Sequence, residues 1–290
     1  MEIKNNKIII GTAQFSNNYG LQNYSNTIKE KFDILNKVIH YKCHGIDTSL
    51  NYDQSQKNIG NWLSKNSNKI KIYTKIIGKK NIKQMELSFQ KCLSELKLEK
   101  IEGLLFHNQD SIKFKETKLF AEKILNNKKI NKIGISIYDS YAIPDNTEIN
   151  FLQIPGSIFN QKFLKSKKLH KYIDKGGEVH IRSIFIQGLL LTAPHKIPKK
   201  LQKLQEPLKK FHMLCNENNF DPITVAAQSI KELIPNFKLV IGIDKPSQFD
   251  KVMNKINKKI DQEVIRKAIK IGEKYTDILW DPRNWNSLIK

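Results

Sequence analysis

The sequence predicts a (β/α)8 barrel, a TIM barrel, that forms one domain over residues 1–290. Short apolar runs rich in β-branched residues alternate with longer amphipathic stretches, and this alternation is typical of parallel βαβ units. Eight such units in a chain of 290 residues favour a closed barrel over an open sheet. Periodicity alone leaves a doubly wound open sheet as the competing fold.

The predicted strands cover residues 7–10, 45–48, 70–75, 102–106, 132–135, 150–154, 178–183 and 239–242. Helical spacing of apolar residues predicts helices over 31–41 and 84–96. The widest gap lies between the seventh and eighth strands, and we expect a loop plus a helix there, over the C-terminal mouth of the barrel. A last helix is expected after Asp261.

Composition argues against several classes of protein. No stretch approaches the ~20 apolar residues that a membrane span needs. The first ten residues contain neither a long apolar run nor a small-residue cleavage site, so no signal peptide is predicted. The cysteines are widely spaced and follow no metal-ligand pattern. We therefore expect a cytoplasmic protein with reduced thiols, no metal site and no membrane partner, and we predict no oligomeric state.

The net charge of +22 has two interpretations. One is a nucleic acid or another anionic partner. The other is compositional drift, because Lys, Asn and Ile are abundant together and all three can be encoded by A and T alone. The lysines are spread along the chain, few aromatic residues lie between them, and no nucleic-acid-binding motif occurs. We therefore favour drift and expect no nucleic-acid partner.

Four polar residues stand at or just after the ends of consecutive predicted strands. Asp47 closes the second strand and Tyr52 follows it, while Lys75 closes the third strand and His107 follows the fourth. In a barrel these strand ends converge on one site. A nearby ammonium lowers the pKa of a phenol, a carboxylate keeps that ammonium charged, and an imidazole can orient a carbonyl oxygen.

Each of these residues, taken alone, has a plainer interpretation. An Asp-Thr pair is more often a helix cap or a turn than a catalytic site. Tyr52 would pack against the core, Lys75 would be a solvated strand end, and His107 would be a structural histidine with satisfied hydrogen bonds. Their joint placement on successive strands favours a shared site.

The segment 46–52, Ile-Asp-Thr-Ser-Leu-Asn-Tyr, resembles the signature of the aldo-keto reductases, in which a Tyr follows an Asp-Thr pair. Lys75 resembles the strand-three lysine of that family and His107 its strand-four histidine. Further segments resemble other parts of the family pattern in the same order: 11–15 with Tyr19-Gly20, then 133–136, 182–190 and 240–243.

The resemblance implies an oxidoreductase that reduces an aldehyde or ketone, including sugar-derived carbonyl compounds, by hydride transfer from NAD(P)H. Tyr52 would be the general acid, Lys75 would lower its pKa, Asp47 would hold Lys75, and His107 would orient the substrate oxygen. The cofactor-binding residues that the resemblance implies are Gly11, Thr12, Asp47, Ser136, Gln153, Arg182, Gly188, Lys245 and Gln248.

Cofactor choice is expected to favour NADP(H) over NAD(H), since Lys245 and Lys251 follow strand eight, where the family grips the 2′-phosphate. The Glu-Asn pair with which the family holds adenosine is absent from this stretch. An alternative function is a cofactor-binding barrel that acts as a sensory or interaction subunit with little turnover.

Arg182 is a departure from the family pattern, because an aromatic residue often stacks on the nicotinamide at its position. Three roles are open for it. It would stack on the ring itself, bind a carboxylate or phosphate of the substrate, or pair with an acidic residue of a loop. Other departures are Ile137, Asp53 and Gln56, which stand where the family has Asn, Gly and Glu.

Overall fold

A computed structural model describes residues 3–16, 24–66, 70–145 and 148–285. In these residues eight parallel strands pair in chain order, and the eighth pairs with the first to close a barrel. The strands are β1 Ile8–Gly11, β2 Gly45–Asp47, β3 Lys71–Ile76, β4 Ile101–Phe106, β5 Ile130–Ser136, β6 Phe151–Pro155, β7 Glu178–Arg182 and β8 Lys238–Gly242. The predicted barrel is confirmed and the open sheet is excluded. The Tyr19-Gly20 pair lies outside the described residues.

Nine α-helices are described along the chain, and their apolar faces contribute to two large buried clusters. They are α1 Ile28–His40, α2 Ser55–Leu63, α3 Ile82–Leu96, α4 Lys115–Asn126, α5 Lys167–Asp174, α6 Gln205–Glu217, α7 Pro222–Leu233, α8 Pro246–Ile256 and α9 Gln262–Lys274. The helices predicted over 31–41, over 84–96 and after Asp261 correspond to α1, α3 and α9. In the described ranges, no helix combines the length and the apolar character needed to cross a bilayer.

The connection between β7 and β8 differs from the prediction, because it contains two α-helices and not one. Short 3-10 turns lead into α6, and α7 then begins at Pro222. Asp221 caps α7, since its side chain accepts a hydrogen bond from the backbone N–H of Ile223 at 2.9 Å. Asp at the N-cap followed by Pro at the first helical position is a strong start signal. This local signal marks a second helix in the gap.

Aromatic side chains fill the middle of the barrel. The rings of Tyr73 on β3 and Phe151 on β6 lie 5.5 Å apart, edge to face. A Cβ added at Gly134 on β5 would lie 2.6 Å from the Phe151 ring, so β5 needs a glycine at this position. Side chains alternate along a strand, and Lys75 and Gln153 therefore point into the barrel one layer closer to its C-terminal mouth.

An ionic cluster surrounds the N-terminal end of β7. Glu178 accepts hydrogen bonds from Lys132 at 2.7 Å, from His180 at 2.6 Å and from Lys238 at 2.5 Å. Burial alone would raise the pKa of Glu178, but these three partners together bring it far below its ordinary value. His180 is fully buried, and burial lowers its pKa. At this end of a barrel such contacts serve stability.

Candidate active site

Asp47 and Lys75 form a buried ion pair at the C-terminal ends of β2 and β3. The Lys75 Nζ lies 2.5 Å from Asp47 Oδ2 and also donates to the Thr48 carbonyl at 2.9 Å. The other carboxylate oxygen of Asp47 accepts a hydrogen bond from Gln153 Nε2 at 2.8 Å. Buried charges persist only when they are paired and hydrogen-bonded. These bonds therefore fix three strand ends, those of β2, β3 and β6, around one charge pair.

Tyr52 and His107 lie directly against this pair. Tyr52 is in the loop that joins β2 to α2, and Lys75 Nζ lies 5.2 Å from the centroid of its ring. His107 follows β4, and its ring meets the Tyr52 ring edge to face with centroids 6.3 Å apart. The structure thus brings the four residues predicted as catalytic into one cluster.

The pKa of Tyr52 moves in the opposite direction to the one expected from the sequence. Burial raises it first, and the negative charge of Asp47 raises it further. The cation that lowers it is Arg182, which is too weak to reverse the shift. Lys75 faces the ring of Tyr52 and directs its hydrogen bonds to Asp47 and Thr48. The net shift of this pKa is therefore upward, and the lowering effect of Lys75 stays a prediction.

His107 is held neutral at physiological pH. Burial and the nearby charge of Lys75 lower its pKa to about 4, although Asp47 opposes that shift. A neutral imidazole carries one N–H donor and one acceptor nitrogen. His107 can therefore donate a single hydrogen bond to a carbonyl oxygen while it carries no charge.

A cavity of about 520 Å³ opens beside this cluster at the C-terminal mouth. Its size is in the range of small-molecule and cofactor sites. Tyr52 forms part of its wall. So do most of the residues predicted to bind a cofactor: Gly11, Asp47, Gln153, Arg182, Gly188, Lys245 and Gln248.

Two of the predicted cofactor residues lie behind the wall of this cavity. Thr12 is fully buried, and its hydroxyl donates to the Asp47 carbonyl at 3.0 Å. Ser136 is buried at the end of β5, where it pairs in register with Gln153. Both residues pack behind residues of the wall, and neither lines the cavity.

The lining of the cavity also includes a helix start and two cations. The helix α8 begins after Lys245, whose Nζ lies 4.4 Å from the Tyr24 ring centroid. Lys196 and Asp244 also line the cavity, although the sequence did not indicate either of them. Burial raises the pKa of Asp244. Lys251, which the sequence grouped with Lys245, is exposed on α8 and is outside the lining.

The chain matches the sequence model of the Aldo/keto reductase family over residues 7–273. The chain belongs to the aldo/keto reductase family. Membership places it among the carbonyl oxidoreductases, as the sequence motifs implied. No curated protein sequence matches the chain.

Solved aldo/keto reductase structures share the fold at low sequence identity. The glycerol dehydrogenase AKR11B4 from Gluconobacter oxydans is 16% identical, with a TM-score of 0.74 over 92% of this chain and 91% of that one. PA4992 from Pseudomonas aeruginosa, described as an aldo-keto reductase, is 13% identical, with a TM-score of 0.66 over 87% and 89% of the two chains. At such identities the likeness shows the fold.

Two departures from the aldo/keto reductase pattern have a structural reason. Asp53 stands at a glycine position and adopts a φ of +39°, a conformation that Asp tolerates better than most residues. Gln56 stands at a glutamate position. Its carbonyl oxygen accepts from the Thr74 hydroxyl at 2.7 Å, and its amide donates to Glu95 at 3.2 Å. An amide can make both bonds, whereas a carboxylate can only accept.

Proposed function

We propose that the chain reduces a small aldehyde or ketone with a nicotinamide cofactor, and that Tyr52 gives the proton to the carbonyl oxygen. The observation that carries this proposal is the packing of Tyr52 between Lys75 and His107 at the wall of the cavity. The phenol of Tyr52 then lines the space in which a carbonyl group would lie, and the ammonium of Lys75 and the neutral imidazole of His107 lie against its ring.

The raised pKa of Tyr52 is compatible with this role. It keeps the phenol protonated throughout the physiological range, which is the state that a proton donor needs. An alkoxide is a far stronger base than a phenolate, so the proton still moves downhill once the carbonyl carbon is reduced. The neighbouring ammonium of Lys75 stabilises the phenolate that remains.

His107 and Asp47 would position the reacting groups. The neutral imidazole of His107 would donate a hydrogen bond to the carbonyl oxygen and hold it near the Tyr52 hydroxyl. Asp47 would keep Lys75 charged and in place, since it accepts the short hydrogen bond from Lys75 Nζ.

The cavity wall fits a nicotinamide cofactor, which supplies the hydride when bound. Gln153 uses its amide N–H to hold Asp47, and its carbonyl oxygen is left to accept from a carboxamide. Gly188 has a φ of +90° and open space where a Cβ would lie, so no side chain projects from the wall at this point. The start of α8 and the ammonium groups of Lys196 and Lys245, which belong to the same lining, would hold phosphates. These cations favour NADP(H) over NAD(H).

A turnover assay that follows NADPH absorbance over a panel of neutral and charged aldehydes tests the proposal. The expected result is oxidation of NADPH that depends on the aldehyde. Binding of NADPH without turnover of any aldehyde or ketone would overturn it, and would favour a cofactor-binding subunit.

A further inference from the structure

Arginine is rare in this chain, and its placement is uneven. The sequence has 50 basic residues, of which three are arginines: Arg182, Arg266 and Arg283. Two of these three lie against the same ring, that of Tyr138 in the loop after β5. The Cζ atoms of Arg182 and Arg283 lie 4.5 Å and 3.8 Å from its centroid. Lysine is the ordinary cation of this chain, so arginine at this place indicates a need for a planar, multidentate donor.

The two guanidinium groups differ in how they are neutralised. Arg283, in the C-terminal segment, holds Asp281 through its Nε at 2.9 Å and its Nη2 at 2.5 Å. Within the described ranges, Arg182 has no carboxylate at ion-pair distance, although its charge also lowers the pKa of Asp281, which Arg283 holds. Its Nη2 is buried and has no hydrogen-bond partner there. A buried donor without a partner is costly, especially on a charged group.

Arg182 is also close to the proposed reaction centre. It closes β7 and lines the same cavity as Tyr52. Its charge lowers the pKa of both Tyr52 and His107, although burial controls the net shift of the tyrosine. A group held by Arg182 would therefore lie in the part of the cavity where the carbonyl group is expected.

We infer that Arg182 binds the carboxylate or phosphate of the substrate, which makes the substrate an anionic carbonyl compound. This inference rests on the proposed reductase function. Tyr138 holds the plane of the guanidinium, and Arg283 holds that ring from the C-terminal segment. The Nη2 of Arg182 is left without a partner, and a guanidinium offers its N–H groups as a planar fork, the geometry that suits an oxyanion. Stacking on an oxidised nicotinamide would instead oppose two positive charges.

Matched substrate pairs test the inference on the wild-type protein. The carboxylate pair is 4-carboxybenzaldehyde and its neutral methyl ester, and the phosphate pair is glyceraldehyde 3-phosphate and glyceraldehyde. We expect kcat/KM to be at least about 10-fold higher for the anionic member of one pair, and the preferred pair identifies the group. Equal values, or a preference for the neutral member in both pairs, overturn the inference.

Variants of Arg182 test whether this residue causes the preference for anionic substrates. Arg182→Gln should lower the anionic preference by about 10- to 100-fold, mainly through a higher KM for the anionic substrate. Arg182→Lys should keep part of the preference, because a point charge remains without the fork. The matched control is Arg266→Gln, since Arg266 is exposed on α9. An anionic preference that survives in Arg182→Gln would contradict the assignment.

A binding measurement separates this inference from the proposed reaction. If no aldehyde of either charge is reduced, the reductase function fails, and calorimetry with benzoate and benzamide still tests the anion site. We expect benzoate to bind at least about 10-fold more tightly than benzamide, and Arg182→Gln to abolish the difference. Equal binding of benzoate to the wild-type and Arg182→Gln proteins refutes the site.

Discussion

The ammonium of Lys75 lies 5.2 Å from the ring centroid of Tyr52, while two of its hydrogen bonds go to Asp47 and Thr48. Lys75 thus contacts the proposed acid through the face of its ring. The effect of Lys75 on the phenol is electrostatic, and the stability of this arrangement depends on the buried carboxylate that pairs with Lys75.

Removal of one member of that pair should destabilise the protein. Lys75→Met leaves Asp47 charged, buried and without its cation, and we expect a loss of about 3 kcal/mol or more in the free energy of unfolding. Urea denaturation measures it. The double variant Asp47→Asn/Lys75→Met should lose less than the sum of the two single losses. Strict additivity would mean that the two side chains do not interact.

The two directions of the reaction should differ in pH dependence. Reduction needs the protonated phenol, and the raised pKa of Tyr52 keeps it protonated, so we expect no alkaline loss of kcat/KM up to about pH 9. Alcohol oxidation needs the phenolate, whose fraction rises about tenfold per pH unit below the pKa. Its rate should climb without a plateau between about pH 7 and 10. A plateau in that interval would contradict the raised pKa.

The acidic side of the reduction profile should report His107. Burial and Lys75 lower its pKa to about 4, so the neutral imidazole persists well below the ordinary histidine range. We expect kcat/KM for reduction to hold from pH 8 down to about 5.5, over which an ordinary imidazole would change its charge. A fall in kcat/KM centred near pH 6.5 that is absent from a His107→Gln variant would show that the pKa of His107 is not lowered.

The cluster at the base of the barrel should make stability fall in acid. Glu178 keeps its charge to a lower pH in the folded protein than in the unfolded chain, so its contribution is present above about pH 4.5 and is lost as the pH falls further. Glu178→Gln should lower the free energy of unfolding by about 3 kcal/mol at pH 7. This is near the lower bound for breaking a buried ion pair, because the Glu178 side chain is 19% exposed. Urea denaturation should show a smaller difference at pH 4. The control is Glu99→Gln on the surface, and a difference that does not depend on pH would contradict the linkage.

Cofactor selectivity should depend on the lysines of the cavity wall. Lys196→Gln and Lys245→Gln should each weaken NADPH binding by about 3- to 10-fold and NADH binding much less, because the lost contact is to a phosphate. Fluorescence titration of both cofactors measures this, with the exposed Lys270→Gln as control. Equal losses of affinity for NADPH and NADH would show that these lysines do not contact the additional phosphate of NADPH.

The sequence predicted the features that repeat locally or lie at strand ends. Alternation of strands and helices gave the barrel, and the four polar residues met because parallel strands end at one mouth. The upward shift of the Tyr52 pKa was missed, because burial by distant segments outweighs the nearby cation. The approach of Arg283 to Tyr138 was also missed. It brings together positions far apart in the chain, and no local pattern indicates it. Thr12 and Ser136 could not be separated from wall residues without knowing which side chains reach the cavity.

The most direct test of the proposed function is Tyr52→Phe, which removes the phenolic hydroxyl and little volume. We expect kcat for aldehyde reduction to fall by at least about 100-fold, the lower range for a general acid, while NADPH affinity stays nearly unchanged. Tyr41→Phe, which removes a hydroxyl bound to Asp250 outside the cavity, should leave kcat unchanged. Reduction by Tyr52→Phe at the wild-type rate would show that Tyr52 does not supply the proton.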